Sequence, residues 1–218
     1  MRILIAHNFY KQSGGEDQCM ADEVAMLKSF GHEVTQYSIS NEAIDSMSSL
    51  QMAIRTMAPE TDSPGEILER INRFYIHNIN FTTFVTVFLA RFDPASLTMT
   101  YVNAGHNPPA IRRKKDSTIN WLKPTAPAIG LAEDFHPRME AVEFSEGDSL
   151  LLYTDGVTEV LSLGNEQFGT ERLAELVQQN ADLPAPDLLQ AVRQAMSAFG
   201  GNRPLMDDVT MVALKISG

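Results

Sequence analysis

Two acidic positions stand where a rigid backbone can hold a carboxylate. Asp155 follows the apolar run Leu150-Leu151-Leu152-Tyr153, and Asp207-Asp208 precedes the run Val209-Thr210-Met211-Val212-Ala213-Leu214. Each run has the composition of a buried strand. If the two strands are neighbours, their carboxylates meet at one end of a sheet. Converging oxygen ligands on rigid elements suit Mg²⁺ or Mn²⁺. Such an ion can acidify water and clamp a phosphoryl group. Gly156, directly after Asp155, keeps the approach clear of a side chain. Asp-Gly is equally a common turn dipeptide, so each acidic position taken singly reads first as a turn.

The other reactive residue types form weaker patterns. His106 lies in the turn-rich string Asn103-Ala104-Gly105-His106-Asn107-Pro108-Pro109, where a hydrogen-bonded turn histidine is the simpler reading. His7, His32, His77 and His136 make no HxH or HxxxH pair. No GxSxG and no Walker A string occurs. Glu159, four residues after Asp155, reads as a solvated helix residue, or as an acid supporting the ligands from behind. Cys19 is the single cysteine, which excludes an intramolecular disulfide and a cysteine-based zinc site.

These candidates need elements to position them. From residue 83 the apolar period is two. Phe84, Thr86, Phe88, Ala90 and Phe92 alternate with Val85, Val87 and Leu89, as in a strand buried on both faces. Asp93-Pro94-Ala95-Ser96 turns the chain, and 97–102 returns as a hairpin partner. Residues 109–113 and 118–122 read as a second hairpin. Residues 139–144 and 149–153 read as a third, joined at Glu146-Gly147-Asp148. Helices are expected at 170–178 and 187–199, and a last strand at 209–216. Before these, Ser63-Pro64-Gly65-Glu66 reads as a capping box opening a helix with Ile67, Ile71, Phe74 and Tyr75 on its apolar face. A Met-rich helical face spans 46–57. Strand pairs followed by helices give an α+β layout with antiparallel sheet.

Residues 1–40 follow a different logic. Arg2 to Ala6 is a short apolar run, Ser13-Gly14-Gly15 a loop, and Met20, Val24, Leu27 and Phe30 one helical face. Residues 33–37 read as a second strand. A β-α-β unit of this kind places its strands parallel. The composition shift near 41–46 marks the expected boundary, giving a fragment 1–45 and a domain 46–218.

The chain has 218 residues, 44% apolar and 21% charged, with a formal net charge of −11. That acidity argues against nucleic-acid and membrane-surface partners. The one basic cluster, Arg112-Arg113-Lys114-Lys115, reads as a solvated hairpin tip. No apolar run reaches the roughly 18–20 residues that span a bilayer. The first residues lack a signal-peptide pattern, so a cytoplasmic location is expected.

Taken together, three strings change the reading. Tyr101 to Pro109, Gly147 to Glu159 and Asp207-Asp208-Val209-Thr210 resemble, in order and spacing, segments of the PPM-type serine/threonine phosphatases of the sporulation-E and RsbU-like branch. Phe168-Gly169-Thr170-Glu171-Arg172-Leu173 continues the second. The resemblance implies an α-β-β-α sandwich of antiparallel sheets. It implies Mn²⁺ or Mg²⁺ on carboxylates and attack of metal-activated water on phosphoserine or phosphothreonine. The implied partner is a phosphoprotein, often a small regulator of the anti-sigma-antagonist type. Asp155 and Asp207 would be metal ligands, with Asp208 as the further candidate. Gly156, Gly105, His106 and Asn107 would shape the site.

The family's first half normally adds a "G-D-x-x-D"-like strand and a "D-x-x-G-H-G" turn. Neither occurs here; Gly31-His32 is preceded at the third position back by Lys28. With fewer carboxylates, metal affinity is expected to be weak, with Kd about 10⁻⁴–10⁻³ M or worse. Residues 1–40 instead resemble the first β-α-β unit of family-4 glycosyltransferases, where Gly14 and Gly15 would form the loop near bound sugar or phosphate. The chain reads as a junction of two pieces. Three functions stay open: an active or impaired phosphatase, a phosphatase-like binding scaffold without turnover, and a chimeric fragment without activity. A sandwich lacking its first strands exposes sheet edge, so residues 1–40, or a homodimer, are expected to cover it.

Overall fold

The computed structural model describes residues 3–8, 33–39, 61, 63–78, 84–201, 203, 205 and 207–217. The expected helical face of Met20, Val24, Leu27 and Phe30, the Gly14-Gly15 loop and the Met-rich face at 46–57 lie outside them. Contacts divide the chain into two units. The expected α+β class is found: each unit is an antiparallel sheet with its own helical cover.

The first unit carries the sheet β1-β3-β4-β7, from β1 (Ile3–Asn8), β3 (Thr86–Asp93), β4 (Thr98–Ala104) and β7 (Glu140–Glu143). The β3–β4 hairpin is the one expected. Asp93 organises its turn by accepting from the Ala95 N–H at 3.0 Å and the Ser96 hydroxyl at 2.8 Å. Val87, Phe88, Leu89 and Ala90 are all fully buried, so this strand is covered on both faces. Helix α1 (Pro64–Asn78) lays Ile67, Leu68 and Ile71 onto Val87, Leu89 and Val102.

Two details of α1 differ from expectation. The Ser63 hydroxyl does accept from the Glu66 N–H, at 3.2 Å. The reciprocal half of the box is replaced by Thr61, whose hydroxyl donates to Glu66 at 2.7 Å and accepts from the Ser63 N–H at 3.2 Å. Phe74, expected on the apolar face, is 45% exposed. Leu68 takes the buried place, because the contact is centred on Ile67 and Ile71 and Phe74 falls at its margin.

The second unit carries the sheet β2-β9-β8-β5-β6, from β2 (Glu33–Ile39), β9 (Val209–Lys215), β8 (Ser149–Tyr153), β5 (Ala110–Arg112) and β6 (Ile119–Trp121). Its helices are α2 (Asp155–Thr158), α3 (Gly169–Gln179) and α4 (Ala185–Gly200). Leu151, Tyr153, Met211 and Ala213 face a core with Leu173, Val177, Leu188 and Val192. Among the described residues no helix is long and apolar enough to cross a membrane.

Three pairings correct the sequence reading. The strands at 3–8 and 33–39 are not parallel neighbours: β1 pairs antiparallel with β3, and β2 antiparallel with β9. An isolated parallel pair would leave both outer edges unpaired. Lying along β3 and β9 satisfies those strands' free backbone groups instead. The leading residues thus cover sheet edges, as expected. The third hairpin does not form. β7 pairs with β4, whereas β8 sits between β9 and β5. The burial explains it: β7 alternates between half-buried and exposed, as suits an edge, while every residue of β8 is buried, as suits a centre. The basic cluster is likewise not wholly solvated. Arg112 is buried on β5, and Arg113 pairs with buried Asp148 at 2.9 Å.

Candidate metal centre

The antiparallel register of β8 with β9 sets Tyr153 opposite Met211. The C-terminal end of β8 therefore lies beside the start of β9, which brings Asp155 and Asp207 to the same end of the sheet. Buried Thr154 locks this junction. Its N–H donates to the Thr210 carbonyl at 3.0 Å. Its hydroxyl donates to the Asp208 carbonyl at 2.9 Å and accepts from the Thr210 N–H at 3.0 Å.

Asp155 then opens α2. The Glu159 N–H donates to the Asp155 carbonyl at 2.8 Å, a spacing of four that returns Glu159 to the Asp155 side of the turn. Asp155 Oδ1 accepts from the Gly156 N–H at 3.1 Å, and Asp207 Oδ1 accepts from the Asp208 N–H at 2.8 Å. Gly156 is required by packing: a Cβ there would lie 2.3 Å from the Asp208 carbonyl oxygen. Its backbone is not in the left-handed region, so conformational freedom is not the reason.

The outcome is a three-carboxylate group. One oxygen each from Asp155, Glu159 and Asp207 lies within 4.8 Å of the others. Burial, and then the charges of Asp155 and Asp208, push the Asp207 carboxyl above its ordinary pKa, against the Asp208 N–H that lowers it. Burial, and then Asp155 and Asp207, do the same to Glu159. A cation among them would relieve this repulsion.

The donor set fits a hard divalent ion. All three donors are carboxylate oxygens; around one Mg²⁺ neighbouring oxygens are roughly 3 Å apart and opposite ones roughly 4.2 Å, and three ligands include at most one opposite pair. From a spread of up to 4.8 Å the three side chains would draw inward around the ion.

A family model described as stage II sporulation protein E matches residues 41–217. The chain belongs to this family of PPM-type phosphatases. It is 27% identical over 172 residues to "Phosphoserine phosphatase RsbU" of Bacillus subtilis (strain 168), covering 78% of this chain and 50% of that protein. It thus spans about half the length of that curated relative. The SiaA PP2C domain of Pseudomonas aeruginosa superposes with a TM-score of 0.70 at 16% identity, covering 90% of both chains. The catalytic domain of the serine/threonine phosphatase PstP, solved with two manganese ions, superposes with a TM-score of 0.53 at 12% identity, covering 100% of this chain and 98% of that one.

Within this sporulation-E domain the expected residues fall as follows. Asp155 and Asp207 come together, and Glu159 joins them. Asp208 lies outside the three-carboxylate group and contributes its backbone carbonyl to Thr154. Gly105 and His106 belong to the first unit and Asn107 to the second. Gly105 has φ +71°, and a Cβ there would lie 3.1 Å from the Ala128 nitrogen. The N–H of buried His106 donates to Asn103 Oδ1 at 2.8 Å. Thr154 was missed by sequence reasoning. Its only signal was its place between an apolar strand and an acid, opposite Thr210 once the register is known.

A cleft of about 400 Å³ in the second unit is lined by Gly156, Glu159 and Asp207 together with Val160, Met196 and Arg203 among others. It therefore shares two of the three carboxylates.

Proposed function

We propose that this chain hydrolyses phosphoserine or phosphothreonine on a protein substrate, with Mn²⁺ or Mg²⁺ held by Asp155, Asp207 and Glu159. The observation that carries this is the convergence of three carboxylates within 4.8 Å at the β8–β9 end of a sporulation-E-family domain. The phosphoserine phosphatase activity printed for the RsbU relative supports the reaction class. When bound, the ion supplies positive charge against the phosphoryl oxygens and lowers the pKa of water.

The chain's own residues supply position. Asp155 lies two residues past β8, at the start of α2, and Asp207 two residues before β9, and each carboxylate is oriented by the N–H of the residue after it before the ion arrives. Thr154 fixes the spacing between those ends through its two hydroxyl bonds. Gly156 lets the Asp208 backbone pass close behind them. Glu159 is the exposed member, supplying the third negative charge from the solvent side. The reaction exchanges the bond from phosphorus to the serine oxygen for one to the oxygen of water, and releases phosphate and the free hydroxyl. A phosphoprotein of the anti-sigma-antagonist type suits the family resemblance.

The test is release of phosphate from p-nitrophenyl phosphate and a phosphoserine peptide, with Mn²⁺, with Mg²⁺ and with EDTA. Mn²⁺ binding is followed in parallel by calorimetry. A metal-dependent rate lost in Asp155→Asn is expected. A folded protein that binds Mn²⁺ without turnover leaves a phosphatase-like scaffold. A folded protein that does not bind Mn²⁺ at all removes the metal-centre reading.

A further inference from the structure

The cleft beside the carboxylates has a second chemical character. Its floor is apolar: Val160, Met196 and Val209 line it and are each less than a tenth exposed. At its lining stands Arg203. The Arg203 guanidinium is held by Asn165 Oδ1 at 2.8 Å and the Leu163 carbonyl at 3.3 Å. Both anchors are neutral, so among the described residues Arg203 is oriented without having its charge cancelled by a carboxylate. The anchoring segment also presents Leu163, which is 75% exposed. An oriented arginine beside an apolar floor that includes Met196 offers a peptide one charged and one apolar contact, and both residue types are enriched at protein interfaces.

We propose that this cleft docks the segment of the phosphoprotein substrate that flanks the phosphoserine, with an apolar side chain on the Val160–Met196 floor and an acidic side chain on Arg203. The proposal rests on the phosphatase reading of the carboxylates and adds what selects the substrate. Charge complementarity names the occupant. The chain's formal charge is −11, so an acidic peptide is repelled over most of its surface. In the cleft, Glu159 and Asp207 belong to the metal group, and Arg203 and Arg193 are the cations its lining offers. Arginine's planar fork matches a carboxylate in two-point contact, which gives orientation as well as attraction. The apolar floor removes water from one side of the peptide and strengthens that contact.

The experiment compares two fluorescein-labelled phosphoserine peptides on the full chain. Both carry a leucine beside the phosphoserine, and they differ in a flanking aspartate or lysine. Turnover is read as the ratio of kcat/KM on each peptide to kcat/KM on p-nitrophenyl phosphate. Binding is read by fluorescence anisotropy in the Asp155→Asn background. The aspartate peptide is expected to be favoured by about tenfold, and Arg203→Glu to reverse that preference. Met196→Gln is expected to weaken both peptides alike. A proportional loss on peptides and on p-nitrophenyl phosphate in Arg203→Glu would overturn the docking role and place the arginine on the phosphoryl group itself. An unchanged peptide preference, with folding intact by circular dichroism, would overturn it too. The anisotropy arm reads docking even if no phosphoester is hydrolysed. Failure of the phosphatase reading is thus separable from failure of this one.

Discussion

A hydroxyl that donates to one backbone group and accepts from another closes both ends of a strand junction. Thr154 does this between the Asp208 carbonyl and the Thr210 N–H. Thr154→Val keeps the shape and removes both bonds, leaving two backbone groups without that partner at a buried position. A loss of about 1–3 kcal/mol is expected in urea unfolding, with Thr154→Ser largely restored. Equal stability of the valine variant and the parent would show that the hydroxyl does not hold the junction. Gly156 makes a sharper test, because its neighbour is rigid. The Asp208 carbonyl oxygen stands 2.3 Å from where an alanine methyl would be. Backbone has to move, and Asp207 moves with it. Mn²⁺ affinity of Gly156→Ala, measured by calorimetry, should fall by about tenfold, or roughly 1.4 kcal/mol. At this scale the sequence was only half informative. Asp155 and Asp207 were legible because each abuts an apolar run. Glu159 was not, because a glutamate four residues into a helix has the same local appearance whether it faces solvent or a neighbouring strand end.

At the scale of elements, the β5–β6 hairpin depends on a carboxylate outside the metal centre. Asp148 accepts from Arg113 at 2.9 Å, from the Lys114 N–H at 2.8 Å and from the Ser145 N–H at 3.0 Å. Burial alone would raise its pKa. The two N–H donors and the Arg113 guanidinium outweigh burial, and the carboxyl lies below its ordinary range. A depressed folded pKa contributes stability that is fully present above the unfolded value, and that stability is lost as pH falls through the folded value. Unfolding free energy should therefore decline below about pH 4 more steeply in the parent than in Asp148→Asn. At neutral pH the variant should be less stable by about 2 kcal/mol, since it turns an N–H donor group toward buried donors. Parallel acid limbs in the two proteins would remove Asp148 as the titrating group. The helices at 169–179 and 185–200 and the first two hairpins were legible from periodicity. Partner choice was not. Residues 139–144 and 149–153 have the local pattern of a hairpin, and only the alternating burial of β7 against the full burial of β8 separates them into different sheets. The first two strands were misassigned for a related reason: a β-α-β pattern records what lies between two strands, not which open edges await them.

At the scale of the whole molecule, metal binding and folding stability are linked. Each carboxylate of the group is repelled by the other two, and this repulsion opposes the folded state. An ion that binds the folded junction and not the unfolded chain shifts the folding equilibrium by RT ln(1 + [L]/Kd). Three carboxylates among the described residues argue for weak binding, with a Kd of about 10⁻⁴–10⁻³ M as its strong end. At 10 mM Mn²⁺ that Kd gives a stabilisation of roughly 1.4–2.7 kcal/mol. Thermal unfolding followed by circular dichroism should show Tm rising with Mn²⁺ across the millimolar range, and flattening in Asp155→Asn. The chain's charge of −11 supplies a competing explanation, because any divalent cation screens a diffuse acidic surface. The variant separates the two. It removes one charge in 11 and so leaves general screening nearly intact, while it removes one of three ligands from the group. A rise in Tm of equal size in both proteins would assign the effect to screening and take the metal centre away. A rise confined to the parent would place the ion at the β8–β9 junction.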